Sequence, residues 1–208
     1  HLQAMREWAE SLKLTREAIL VGQDWGGPLA IGTGMALPKV NGIVLGNTSV
    51  LVPKRPLGTS FHKFARTPAV SDLVFRLGGF PQNILGRVQG DPVSISGNVA
   101  RAYRWPLRLG RRAGPLALAR MVPSSPDHPS VAPLREIEAW ARAFDGPIAL
   151  VWGERDPILG RALEKHVEAF PQASVSRTQA GHFLQEEVPD EIVLAIEKVA
   201  DRALETGS

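Results

Sequence analysis

Three side chains in this sequence could together carry out a covalent hydrolysis: Asp24, Asp156 and His182. Asp24 lies in Gly22-Gln-Asp-Trp-Gly-Gly27, which has the pattern glycine, any residue, nucleophile, any residue, glycine. A serine at the tip of such a turn suits attack on an acyl carbon. A carboxylate suits in-line displacement at a saturated carbon and leaves an alkyl ester on the aspartate. Clearing that ester needs a base that activates water, a role for His182, and an acid that orients the imidazole, a role for Asp156. The chain order nucleophile, acid, histidine is that of hydrolases built on a parallel sheet.

Each residue also has a plainer reading. Asp24 could cap the helix that follows it, Asp156 could form a turn ahead of Pro157, and His182 could be a satisfied loop histidine. Asp145 and Glu154 are rival acids. Asp145 precedes its strand and should lie at the wrong sheet edge, while Glu154 falls two residues short.

The elements that must position these residues read as an α/β pattern. Ala18-Ile-Leu-Val-Gly22 is a short apolar strand, and Pro28 to Ala36 is a small-residue helix close under a sheet. The flanking glycines, Gly22 and Gly26, are expected to leave no room for a Cβ. Ile43 to Asn47 is a second strand, so strand, helix and strand fall within thirty residues, the signature of a parallel βαβ unit. Pro147 to Trp152 and Ala173 to Thr178 read as further strands, ending just before Asp156 and His182. All three candidates thus follow strand C-termini, the edge where sites form in open parallel sheets. Leu2, Met5, Trp8 and Leu12 mark one apolar helix face, and Asp190 to Ala203 a terminal helix. The expected organisation is a core segment 1–50 with the nucleophile, a helical, Pro- and Gly-rich insertion 51–131, and a second core segment 132–208.

Composition narrows the class. The chain has 208 residues, 44% hydrophobic and 22% charged, a globular balance. There is no cysteine, so disulfides and thiolate metal sites are excluded. The net charge of +3 derives largely from arginines between Arg101 and Arg120, expected to form a solvated surface rather than a nucleic-acid site. No transmembrane run or signal peptide is visible, which points to a cytoplasmic protein with no membrane partner.

The segments "GQDWGGP", "WGERDPILG" and "AGHFLQEEVPDEI" resemble the elbow, acid and histidine blocks of haloalkane dehalogenases, within the α/β-hydrolase superfamily. Ala102-Tyr-Arg-Trp-Pro106 resembles the end of their cap. The resemblance implies an α/β-hydrolase sheet with an inserted helical cap and no cofactor. It implies a small hydrophobic halogenated substrate, water, and released halide bound by the indole N–H of Trp25. By spacing, the second halide donor of some relatives falls near Phe75, which has no N–H. The position where part of the family carries its acid is Asn47. The family places about four strands and a His-Gly loop before the elbow, so the resemblance also implies that this chain is the C-terminal portion of a longer enzyme. Two alternatives stay open: an epoxide or ester hydrolase with the same triad, and a truncated, non-catalytic protein of the same fold. A single tyrosine, Tyr103, speaks against epoxide opening, where an acid must protonate an alkoxide.

Overall fold

A computed structural model describes residues 1–13, 17–52, 60–107 and 112–206. Pro53, Pro56, Arg108 and Arg111, part of the composition that marks the insertion, lie outside the described residues.

Four parallel strands form the sheet: β1 (Ala18–Asp24), β2 (Val40–Thr48), β3 (Ile148–Gly153) and β4 (Ser174–Thr178), in the spatial order 1-2-3-4. The register pairs Leu20 with Ile43, Ile43 with Ile148, and Ala149 with Ser174. β2 and β3 are near-continuous apolar runs because they are buried on both faces. Alternation along them still sorts the side chains. Ile43, Leu45, Ile148, Leu150 and Trp152 join one apolar cluster with Ile31, Ile137, Leu163 and Phe170. That cluster is covered by α2 (Gly26–Gly34), α7 (Val131–Ala143) and α8 (Leu163–Ala169). Val44, Ala149 and Val151 face the other way, onto Ala195 and Val199 of α9 (Pro189–Thr206). The result is three layers with helices on both sides of the sheet.

α1 (Leu2–Ser11) packs on α2, and Arg6 Nε donates to Gly32 O at 2.9 Å. Its inward face differs from the expected one. Ala9 is the buried residue and Leu2 packs on the core, whereas Trp8 is 54% exposed. Residues 2, 5 and 9 share a face at steps of three and four, and Trp8 is turned about 100° from Ala9. Leu12 lies beyond the last helical residue.

Between β2 and α7 the described residues form only helices and turns. These include α3 (Ser60–Ala65), the single turn α4 (Val70–Asp72) running into a π-turn at Leu73–Leu77, α5 (Gly97–Arg104) and α6 (Ala113–Met121). Phe75, Ala65, Leu116 and Ala119 form their own apolar cluster. Its arginines do more than meet solvent. Arg120 donates to Ala65 O, Ser71 Oγ and Asp72, and Arg112 donates to Leu77 O and Leu107 O, so both tie the segment's turns together.

Candidate active site

The nucleophile candidate sits at the end of β1 with φ +51°, the left-handed region where aspartate is tolerated better than most residues. The tightness of the turn falls on Gly22, as expected, and on Gly27 in place of Gly26. A Cβ on Gly22 would stand 2.5 Å from Gly26 O, and one on Gly27 would stand 2.1 Å from Thr48 Oγ1. A Cβ on Gly26 would meet nothing within 4 Å. The close approach is between helix and neighbouring strand, so it is Gly27, facing Thr48, that must be bare. Thr48 Oγ1 in turn donates to Asp24 O at 2.5 Å, locking the elbow to β2.

Asp156 follows β3 by three residues, and His182 follows β4 by four, so the sheet brings all three to its C-terminal edge. His182 Nδ1 lies 2.9 Å from Asp156 Oδ2, and His182 Nε2 lies 4.0 Å from Asp24 Oδ2. The Asp156 side chain is fully buried and that of His182 nearly so, while the Asp24 side chain keeps 40% of its exposure.

Asn47 has more to do than its sequence reading allowed. It is fully buried with φ +31°. Its Nδ2 donates to Asp156 Oδ2 at 2.7 Å and to Gly153 O and Gly181 O at 3.2 Å, and its Oδ1 accepts from Gly153 N at 2.7 Å. Asp156 Oδ1 accepts from Ile158 N at 2.7 Å. Among the described residues no buried side-chain nitrogen or oxygen lacks a hydrogen-bond partner. A side-chain amide bridging two strand ends leaves no pattern in the sequence, and only its position after β2 marks it.

The electrostatics follow from this arrangement. Burial pushes Asp156 up, but the His182 hydrogen bond and charge, with Ile158 N–H and Asn47, outweigh it and hold the carboxyl below the usual range. Burial pushes His182 down, yet Asp156, and after it the Asp24 charge, carry the imidazole above its ordinary value. Asp24 itself is raised, because burial outweighs the His182 charge and the Trp25 backbone N–H.

The rival acids are elsewhere. Glu154 pairs with Arg177 at the surface, and Asp145 lies on the far side of β3, before the strand begins. Phe75 is buried in the apolar cluster of the insertion, in contact with Phe61, Phe64 and Phe80. Tyr103 Oη donates to Glu186 Oε1 at 2.8 Å and accepts from Gln185 at 2.9 Å; burial first, and then the Glu186 acceptor, push its hydroxyl up to about 12. Trp25 lines a mainly apolar cavity of about 310 Å³ with Pro28, Leu29, Leu118, Met121 and Leu134. Among the described residues there is no group of three or more histidines, aspartates and glutamates able to hold a metal ion. No described helix is long and apolar enough to cross a membrane.

The chain is similar to known proteins over most of its length. It is 31% identical over 204 residues to a haloalkane dehalogenase of Mycobacterium marinum, covering 92% of this chain and 64% of that protein. It is 27% identical over 192 residues to a haloalkane dehalogenase of Mycolicibacterium paratuberculosis, covering 90% and 61%. The chain therefore spans less than two thirds of these relatives. Its fold matches the crystal structure of haloalkane dehalogenase DbeA from Bradyrhizobium elkani with a TM-score of 0.80 at 23% identity, covering 97% of this chain and 72% of that one. It matches haloalkane dehalogenase DatA from Agrobacterium tumefaciens with a TM-score of 0.78 at 21% identity, covering 98% and 74%. The model of the alpha/beta hydrolase family matches residues 1–195. By its sequence, its parallel sheet and its order of elements, this chain belongs to the alpha/beta hydrolase family.

Proposed function

We propose that this chain carries the catalytic machinery of a haloalkane dehalogenase-type hydrolase. The observation that supports it best is the line Asp24, His182, Asp156 at one sheet edge, with 4.0 Å and 2.9 Å between successive groups. An Asp24 oxygen attacks the halogen-bearing carbon, the carbon–halogen bond breaks, and the bonding pair leaves with the halide. With Asp156 accepting from Nδ1–H, the lone pair of His182 is on Nε2, on the side of the ester. His182 takes a proton from water, whose oxygen attacks the Asp24 carbonyl carbon. Collapse of the adduct expels the alkoxide, which takes the proton from His182. The products are alcohol, halide and one proton.

The first step prepares the second. Esterification removes the Asp24 charge, one of the causes that raise His182. The imidazole therefore becomes less basic and more completely neutral when it must act as a base.

Two observations favour halide over alkoxide as the leaving group. Among the described residues no hydrogen bond engages the Trp25 indole N–H, which stays available as a soft donor beside the nucleophile. The hydroxyl of Tyr103, the sole tyrosine, is committed to Glu186 and raised away from acid duty. The cap role falls to the segment 51–131, whose described residues form helices and turns.

The test is halide release from 1-bromobutane or 1,2-dibromoethane against diol formation from styrene oxide. Halide release is expected. Diol without halide overturns the reading in favour of an epoxide hydrolase. His182→Ala should accumulate an alkyl ester, seen as a mass increase on the Asp24 peptide. Absence of any adduct with all three substrates means that the chain is not catalytic.

A further inference from the structure

The loop that carries His182 is held by a segment about ninety residues earlier, Val88 to Asp91. Gln89 is 7% exposed, and its amide engages both backbone groups of Phe183: Phe183 N donates to Oε1 at 2.8 Å and Nε2 donates to Phe183 O at 3.2 Å. Next to it, His182 N donates to Val88 O at 2.8 Å. On the other side of the histidine, Gln23 Nε2 donates to His182 O at 2.9 Å. The Glu187 carboxylate closes the clamp, accepting from Gly90 N at 3.1 Å, Asp91 N at 2.5 Å and Gly181 N at 2.7 Å. The two backbones nearly touch. A Cβ on Gly181 would stand 2.3 Å from Val88 O, and one on Gly90 would stand 2.3 Å from Gln179 O.

A loop histidine could be held by its ring alone. Here the peptide groups on both sides of His182 are fixed as well, by residues from the insertion and from β1. Proton transfer needs the imidazole held to about half an ångström and 10–20°, and the backbone at His182 sets where Nε2 can reach. We infer that Gln89, with Glu187 locking the same segment, is a positioning residue for the base His182. The insertion is thus part of the device that aims the base. The inference rests on His182 acting as the base, as proposed above.

Two measurements on the 208-residue chain test it. The first is an NMR titration of the His182 imidazole in the parent, Gln89→Leu and Glu187→Gln, which is independent of any reaction. In both variants the imidazole is expected to fall toward its ordinary value as the Asp156 contact loosens. The second is single-turnover reaction with 1-bromobutane. Alkylation of Asp24 should keep the parental rate while ester hydrolysis slows, by roughly a hundredfold for ångström-scale misplacement, and the ester mass should accumulate. If Gln89→Leu does not fold, Glu187→Gln, which keeps one acceptor oxygen, carries both measurements. A parental titration and parental hydrolysis overturn the inference, and so does an equal loss of alkylation and hydrolysis, which marks a merely structural role. A shifted titration with no adduct even in His182→Ala supports the clamp and removes the dehalogenase reading instead.

Discussion

Asn47 and Asp156 share a hydrogen bond of 2.7 Å to the same carboxylate oxygen, Oδ2, that faces the imidazole of His182. The residue at the end of β2 therefore supports the acid at the end of β3. Asn47→Ala removes that donor and strands the buried Gly153 N–H. Each orphaned buried group costs about 1–3 kcal/mol, and alanine also adopts the positive φ less readily than asparagine. We expect a fall in denaturant midpoint together with slower ester hydrolysis. Asn47→Asp should be worse, since it sets a second carboxyl against Asp156, and one of the two must then hold a proton. Equilibrium unfolding with single-turnover kinetics checks both variants.

Asp156→Asn should move the pH dependence of ester hydrolysis. Asp156 is the chief group raising His182 against the downward push of burial. Without its charge the imidazole titrates lower, so the acidic limb of the hydrolysis step shifts to lower pH. The plateau falls at the same time by roughly 10²–10⁴, the span of general-base catalysis. A limb that stays in place would show that Asp156 does not set the basicity of His182.

Stability should depend on pH through the same pair. The carboxyl of Asp156 is lowered from 3.8, so its contribution is present above that value and is lost as pH falls through the depressed one. The imidazole of His182 is raised from 6.5, so its contribution is present below that value and is lost as pH rises through the raised one. Maximum stability from this pair lies between the two ordinary values. His182→Ala should remove the loss on the alkaline side, read as a flatter thermal midpoint against pH.

Asp24→Asn should abolish alkylation and raise the unfolding midpoint at neutral pH. Burial works against the ionised carboxyl of Asp24, and asparagine relieves it while still accepting φ +51°. An unchanged or lower midpoint would show that the His182 charge already offsets the burial.

The two elbow glycines after Asp24 should respond in opposite ways. Gly26→Ala has open space and removes a glycine from a helix, for a gain of about 0.5–1 kcal/mol. Gly27→Ala drives a methyl into Thr48 and should cost about 1–3 kcal/mol as overpacking. Thr48→Ala in the same chain should recover part of that loss, which a double-mutant cycle measures.

The parts legible in the sequence were those written in local pattern. Leu20 and Val44 lie in short aliphatic runs that read as buried strands, and both are buried, whereas Val21 on the edge strand β1 stays 46% exposed. Asp24, Asp156 and His182 each stand just past such a run. What escaped was pairing between distant segments. Nothing near Gln89 announces that its amide will meet Phe183, and nothing near Asn47 announces Asp156. Both are single polar residues satisfying another loop's backbone or carboxyl, and burial that makes them matter is set by packing rather than by neighbours in the chain. Gly27 was overshadowed by Gly26 for a similar reason, because the crowding atom belongs to Thr48 on another strand. The N-terminal helix was placed correctly, but Trp8 drew its inward face to itself, although Ala9 packs closer than a large ring could.

The long excursion leaves β2 and returns to its immediate neighbour, β3. The lateral separation of nucleophile and acid is therefore set by strands spaced about 4.8 Å apart, and is blind to how much chain lies between Val50 and Ile148. Doubling such an excursion adds only about 0.6 kcal/mol in closure entropy. The length of this excursion can therefore change at little cost to the spacing of Asp24 and Asp156, provided the few residues that grip the histidine loop are kept.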